Sequence, residues 1–366
     1  MINKKIAIFH NYLDNIGGAE IVTLTLAKEL NADIYTTNID SEKILKMGFV
    51  TNNIFSIGKI PINAPFKQQC ASLRFLFLNL KSKYDLYIIC GDWSVSGAIR
   101  NKPNICYVHS PIREIWDSYQ NVRKEVVPLY LRPIFDAWVF VNRFFNKFCI
   151  KNVDKLIANS QNVSERIKFY LNRESIVVYP PVNIDDFQTE NTNQKYWLSV
   201  NRLFSNKRVE MQLEAFRKLP NEKLIIVGSY EKSKHFLEYV EKIIKNKPDN
   251  VLILHWVDYQ KLVELYKNCL GFITTAKEED FGISVVEAMA SGKPVIAPNE
   301  GGYKETVIDR KTGFLISEID SDKIINAINL VKTNLNLDQN YYYENCKNRA
   351  RDFDIKIFIS KILNNL

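Results

Sequence analysis

The chain has 366 residues, 46% hydrophobic and 25% charged, with 49 Lys+Arg against 41 Asp+Glu and a net charge of +8. That length suits two domains with real cores, and the balance excludes wholesale disorder. Six scattered cysteines (Cys70, Cys90, Cys106, Cys149, Cys269, Cys346) show neither zinc-ligand spacing nor a dense disulfide framework, which points to a reduced, cytoplasmic protein.

The N-terminal "MINKKIAIFH" enters a strand at Ile6–Phe9 directly, leaving no room for a signal peptide. A helix over Ala19–Leu30 follows, then strands at Leu86–Cys90 and Ile105–Val108, an aromatic and basic helix at Leu131–Lys151, and strands at Lys155–Ala158 and Ile176–Tyr179. Pro180-Pro181 and the polar run Gln188–Gln194 read as a linker. Beyond it the spacing predicts strands at Tyr196–Val200, Leu224–Val227, Val251–His255, Gly271–Thr274 and Val295–Ala297. Helices at Val209–Leu219, Phe236–Lys245, Gln260–Lys267 and Ser284–Ala290 lie among them. Such alternation predicts an α/β chain of two Rossmann-like domains, with parallel sheets facing a cleft and ligands at the carboxyl ends of the strands.

The charge is unevenly placed. Residues 1–180 hold 23 Lys+Arg against 15 Asp+Glu, whereas residues 181–366 hold 26 of each. Within Lys59–Arg173 the counts are 18 and 8. A basic first half suits a phosphorylated ligand or an anionic membrane surface, and no nucleic-acid-binding signature accompanies it. The helix at Leu131–Lys151 places Asp136, Arg143, Lys147 and Lys151 along one side and leaves a wide apolar arc. It reads either as a core-packing helix or as a surface that touches lipid headgroups. Its longest uncharged run, Ala137–Asn142, is far too short to cross a bilayer.

Four stretches carry chemistry. In "NIGGAE" (Asn15–Glu20), Gly17-Gly18 sits between the first strand and the first helix, where backbone and helix N-terminus suit a phosphate. Neither GxGxxG nor a Walker A pattern occurs. In "SVNRLFSNKRVE", Arg202 ends a strand and Lys207 lies five residues on, both placed for a diphosphate, while Arg208 reads as a solvated cation. In "AKEEDFGISVVE", three carboxylates stand directly before Phe281-Gly282 at a strand-to-helix turn, and Glu287 follows on the helix. One carboxylate would cap the helix; several suit a ligand rich in hydroxyl donors. In "CYVHSPIREIWDSY", His109 ends a strand of the basic half, and His10, ending the first strand, is a second candidate.

These stretches resemble the retaining glycosyltransferases of family four. "NRLFSNK" is similar to their G-R-L-x-x-x-K segment, with Asn201 where the family usually has glycine, and Glu279 and Glu287 match their Glu-x7-Glu motif. "GGAE" resembles their first phosphate loop, and "VVYPPVNIDDF" and "NRARDFDIKIFISKIL" also fit the pattern, so the resemblance spans nearly the whole chain. It implies the GT-B fold: an acceptor-binding domain over 1–185, a nucleotide-sugar-binding domain over 186–347, and a C-terminal helix over 348–366 returning to the first domain. By the same resemblance Glu287 holds the ribose hydroxyls and Glu279 the donor sugar. The backbone N–H groups of Phe281, Gly282 and Ile283 meet sugar hydroxyls and phosphate. Gly17, Gly18, Arg202 and Lys207 neutralise the diphosphate, and Val257 lies near the base.

The stretch around His109 resembles the H-T-P-x-R-x-x-W-D segment of mannosyltransferases that build bacterial and archaeal polysaccharides. It implies that His109 faces the transferred sugar and that Arg113, Trp116 and Asp117 shape the acceptor side. His109, Arg202, Lys207 and Glu279 would then be the catalytic set. The implied reaction takes a hexose, mannose from GDP-mannose, to a saccharide acceptor, lipid-linked, at the inner face of the plasma membrane. No metal or other cofactor is expected, since Arg202 and Lys207 can stabilise the leaving diphosphate. The pairs Asp320/Asp322 and Asp352/Asp354 match a metal-binding Asp-x-Asp in letters only. The rival readings are a UDP-sugar transferase, a nucleotide-sugar 2-epimerase, and an inactive sugar-binding partner.

Overall fold

The computed structural model describes residues 4–61, 66–187, 196–229 and 234–366, the side chains of 234–236 excepted. Contacts divide the chain into two units, Met1–Tyr179 with Lys361–Leu366, and Pro180–Ser360. The linker expected at Gln188–Gln194 lies outside the described residues.

The first unit is built on seven parallel strands: β1 (Ile6–Phe9), β2 (Asp33–Thr36), β3 (Ile54–Ser56), β4 (Leu86–Ile89), β5 (Asn104–Val108), β6 (Lys155–Ala158) and β7 (Ile176–Val177). Their order in the sheet is β3-β2-β1-β4-β5-β6-β7. β1 (IAIF) and β4 (LYII) pair in parallel and are buried at every position, as central strands covered on both faces must be. The Phe9 ring lies 5.6 Å from both Phe75 and Tyr87 and ties the sheet to the helix Lys67–Phe77. The strand order reverses between β1 and β4, and the carboxyl edge at such a reversal is where α/β sheets receive ligands.

The second unit repeats the logic with six strands: β8 (Trp197–Arg202), β9 (Leu224–Ser229), β10 (Val251–Leu254), β11 (Gly271–Ile273), β12 (Val295–Pro298) and β13 (Gly313–Ile316). The order is β10-β9-β8-β11-β12-β13, with the reversal between β8 and β11. Trp197 is wholly buried and sits opposite Gly271 in the register, where a Cβ would come within 2.7 Å of the indole. Tight parallel pairing at the reversal therefore depends on that glycine.

The chain closes with helices Tyr343–Arg351 and Ile355–Leu363, and the last residues return to the first unit, where Lys155 donates to the Asn365 carbonyl. Strands β2, β3 and β13 and the helix Lys67–Phe77 go beyond what the sequence led us to expect. The helix Arg132–Lys151 buries Val139, Asn142, Asn146, Cys149 and Ile150. Its Asp136 accepts from Arg123 (2.8 Å) and Tyr119 (2.7 Å). All six cysteines are unpaired, five of them buried and Cys70 half-buried. Among the described residues no helix is long and apolar enough to cross a membrane.

Candidate active site

In the second unit the loops leaving β8 and β11, the two strands at the reversal, are tied to each other. Arg202 is the exposed last residue of β8, and the single turn Ser205–Lys207 follows. Lys207 donates from Nζ to the Glu279 carboxylate, and only 14% and 24% of the two side chains is exposed. The Thr275 hydroxyl donates to the Lys207 carbonyl at 2.6 Å, and the Lys277 N–H donates to the Asn206 carbonyl at 2.8 Å. Arg208 is not the solvated cation expected from sequence. It donates to the Thr275 carbonyl (2.6 Å) and to the Glu300 carboxylate, because its left-handed backbone (φ 49°) turns the side chain across the loop.

The acidic turn rests on glycine. Gly302 donates its N–H to the Glu279 carbonyl at 2.8 Å, and a Cβ on Gly301 (φ +57°) would come within 2.5 Å of that same carbonyl oxygen. Phe281 is buried edge-on against Phe353, with ring centroids 5.4 Å apart. Gly282 (φ +90°) then opens the helix Ile283–Ala290 with no side chain capping it, so the helix N-terminus keeps its field of backbone N–H groups. A Cβ on Gly282 would meet the Tyr303 ring at 2.6 Å. Tyr303 is itself buried and bonded to Thr274 at 2.7 Å.

Glu287 lies one turn into that helix and is buried. Tyr266 donates its O–H to the carboxylate at 2.7 Å. Burial pushes the carboxyl up to about 7, against the opposing pull of the Tyr266 hydrogen bond. Val257 is half-buried in the loop after β10, just before Asp258 caps the next helix. The unit thus brings Lys207 and Glu279 into direct contact and sets Phe281, Gly282, Ile283 and Glu287 along one turn and helix. Asn201 donates to Ser199 Oγ at 3.0 Å, and its Oδ1 is buried without a hydrogen-bond partner.

The first unit gathers a second group at the carboxyl edge of β1, β4 and β5. Gly17 donates its N–H to Glu20 Oε2 at 2.8 Å, which fixes the start of the helix Gly18–Leu30. Glu20 Oε1 also lies 3.4 Å from His10 Nε2, and His10 Nδ1 lies 3.2 Å from the Thr23 hydroxyl. Asn11 donates to Asp92 and accepts the N–H groups of Trp93 (3.1 Å) and Ser94 (2.7 Å). Burial raises the carboxyls of Asp92 and Glu114. His109 directly follows β5 with its ring edge-on to Tyr107, and burial, helped by His10, depresses it to about 3. It is therefore a neutral imidazole at physiological pH, and its buried Nε2 has no hydrogen-bond partner.

The residues expected on the acceptor side form a local cluster. Arg113 pairs with Asp117 at 2.8 Å, with Arg166 3.7 Å from the same oxygen, and Asp117 Oδ1 is buried and unpaired. Trp116 is buried, its indole N–H bonded to Asn146 at 3.1 Å, with Arg143 5.2 Å from its ring centroid. The Asp-x-Asp pairs serve helix ends instead. Asp320 caps at Lys323 (2.8 Å), Asp322 pairs with Lys218 (2.7 Å), Asp352 pairs with Arg349 (2.8 Å), and Asp354 accepts the Lys356 N–H (2.8 Å). Sequence reasoning missed Asp92, Glu114, Thr275, Tyr266, Tyr303 and Glu300. Only Asp92 had a local signal, its place two residues past an apolar strand.

Residues 182–352 match the family of glycosyl transferases group 1. The alpha-1,3/1,6-mannosyltransferase ALG2 of Dictyostelium discoideum is 27% identical over 401 residues, covering 90% of this chain and 92% of that protein. The O-antigen chain mannosyltransferase RfbU of Salmonella typhimurium is 24% identical, covering 61% of this chain and 63% of that protein. The crystal structure of Anabaena Alr3699/HepE in complex with UDP and glucose has a TM-score of 0.78 at 19% identity, with both chains covered completely.

Glu287 supplies a pH test. Its carboxyl rises from an ordinary 4.5 to about 7 on folding, so the neutral form stabilises the fold. That contribution is full below the unfolded value and is lost as pH rises through 7. Glu287→Gln should therefore melt several degrees above the parent at about pH 8, on the order of 1–3 kcal/mol, with the gap closing towards about pH 5. A gap that stays constant across this range in calorimetry would remove the buried-carboxylate account.

Proposed function

We propose that this chain, which has the GT-B fold and whose residues 182–352 match the glycosyl transferases group 1, moves a hexose from a nucleotide-sugar donor to a saccharide acceptor with retention. The observation that carries the proposal is the Lys207–Glu279 pair beside the uncapped N-terminus of the helix Ile283–Ala290. In this reading Lys207 and Arg202 take the diphosphate, together with the N–H groups of Phe281, Gly282 and Ile283. Glu279 accepts hydroxyls of the sugar while holding Lys207 in place. Glu287, half-ionised near neutrality and braced by Tyr266, accepts the ribose hydroxyls. Val257 lies against the base.

Chemistry follows from that placement. The bond from the anomeric carbon to the diphosphate oxygen breaks, and positive charge develops on the sugar. Lys207, Arg202 and the helix N-terminus stabilise the departing negative charge. The acceptor oxygen bonds to the same face of the anomeric carbon, and its proton passes to the leaving phosphate oxygen. In the first unit, neutral His109 offers its unpaired Nε2 to the sugar or acceptor hydroxyl, Gly17 and Gly18 approach phosphate, and Arg113, Trp116 and Asp117 shape the acceptor side.

We take the hexose to be mannose and the donor GDP-mannose, a reading supported by the similarity to the ALG2 and RfbU mannosyltransferases. The acceptor is lipid-linked, which suits the basic first half and places the enzyme peripherally at the cytoplasmic face of a membrane. A UDP-sugar donor is the second reading, favoured by the fold shared with HepE, whose structure holds UDP and glucose.

A thermal-shift screen with GDP, GDP-mannose, UDP and UDP-glucose tests the donor, since a ligand that binds only the folded state raises its stability. GDP and GDP-mannose should raise the melting temperature; a response to the uridine pair alone would transfer the assignment to UDP. Replacement of Lys207 or Arg202 by Ala should lower turnover by roughly 10²-fold or more, with the melting temperature lowered in Lys207→Ala, where Glu279 loses its partner, and little changed in Arg202→Ala. Turnover at the parental rate in either would dismiss its role at the diphosphate.

The reaction is read as metal-independent, with the cations doing the electrostatic work. Turnover should then persist after exhaustive EDTA treatment. Loss of turnover that added Mg²⁺ or Mn²⁺ restores would overturn that reading.

A further inference from the structure

The helix Arg132–Lys151 is apolar on two faces: Val139, Cys149 and Ile150 are buried against the protein, yet large apolar side chains also stand exposed on the side turned to solvent. Its protein-facing side also carries Asn142 and Asn146, which bond to the Trp138 carbonyl (2.8 Å) and the Trp116 indole N–H (3.1 Å). Its outer side carries Ile134, Phe140, Val141 and Phe144, which are 67%, 76%, 62% and 75% exposed, and Phe148 continues the same stripe one turn on. Leu129 and Tyr130, just before the helix, are more than 70% exposed. Lys147 and Lys151 are exposed at the end of the stripe. A surface helix in contact with water alone presents a polar outer side. A contiguous apolar patch rimmed by charge marks a docking face.

We propose that this stripe is a membrane-insertion surface: the helix lies in the plane of an anionic bilayer, with Ile134, Phe140, Val141 and Phe144 among the acyl chains and Lys147 and Lys151 at the lipid phosphates. The charge selects this occupant over a second copy of the chain. Two copies meeting through the stripe would bring like charges together on a region that already carries 18 Lys+Arg against 8 Asp+Glu. Anionic lipid neutralises the same cations, and the aromatic row matches the depth at which amphipathic helices settle. The helix Lys67–Phe77 packs on the same turn, Ser94–Ile99, and adds exposed Leu73 and Phe77. The inference deepens the reading of a membrane-borne acceptor and rests on it. It also changes the kind of contact: apolar insertion, unlike headgroup attraction alone, survives salt.

The test is co-sedimentation of the full chain with vesicles of phosphatidylcholine alone and of phosphatidylcholine with phosphatidylglycerol, at low salt and at about 0.5 M NaCl. The parent should bind the anionic vesicles and keep a substantial fraction bound in high salt. Phe140→Asp with Phe144→Asp, both at exposed positions, should lower partitioning by about tenfold or more and abolish the salt-resistant fraction. Light scattering of the parent should report a monomer. Parental partitioning in the double variant, absence of binding to either vesicle, or a dimer that the double variant dissociates would each overturn the proposal. The donor-induced thermal shift, measured in both proteins, reports separately on the glycosyl-transfer reading and should be unaltered by the substitutions.

Discussion

An ion pair that joins two loops far apart in sequence organises the second unit. Lys207 and Glu279 stand 72 residues apart and are both largely removed from water. A charge so placed needs its partner, because an uncompensated one costs several kcal/mol. The neighbouring bonds from Thr275, Lys277 and Arg208 run between the same two segments that the pair connects, and Gly302 holds the Glu279 carbonyl from a third loop. On the proposed reading, a diphosphate arriving here would meet a lysine already held in place, with little side-chain entropy left to lose on binding.

The same economy of position recurs in the first unit with different chemistry. There the carboxyl edge of the sheet holds a neutral histidine, carboxyls raised by burial and an asparagine that ties the end of β1 to the end of β4. The two sheets have matching strand orders, each reversing beside its first strand. One unit thus offers fixed positive charge beside a helix terminus, while the other offers uncharged and weakly charged hydrogen-bonding groups. On the proposed reading, the first suits a diphosphate and the second suits sugar hydroxyls.

The central strands were legible because they are buried on both faces and so read as uninterrupted apolar runs. β2 alternates buried and half-buried positions in Asp-Ile-Tyr-Thr, and β3 is an edge strand with two exposed residues, so neither produces such a run. β13, also an edge, opens on a glycine. At the site, Glu279, Glu287, Lys207 and the turn at Phe281-Gly282 were visible because charge beside glycine at a strand end is a local pattern. Tyr266, Tyr303 and Glu300 were not, since they reach their partners across 21 to 92 residues and each looks like ordinary core or surface in its own neighbourhood. Arg208 was misread for the same reason: only the fold shows what a left-handed residue turns towards.

The distribution of sulfur gives the protein a simple chemical handle. Burial pushes the thiols of Cys90, Cys149 and Cys269 up to about 12 and raises Cys106 and Cys346 as well, so the reactive thiolate is scarce at all five near neutrality. Cys70 alone is partly open to solvent, on the helix that also carries Leu73 and Phe77. A maleimide fluorophore would accordingly label the folded native chain at one place without removal of any cysteine. Its emission would report the polarity of the surroundings about one helical turn from Leu73 and two from Phe77.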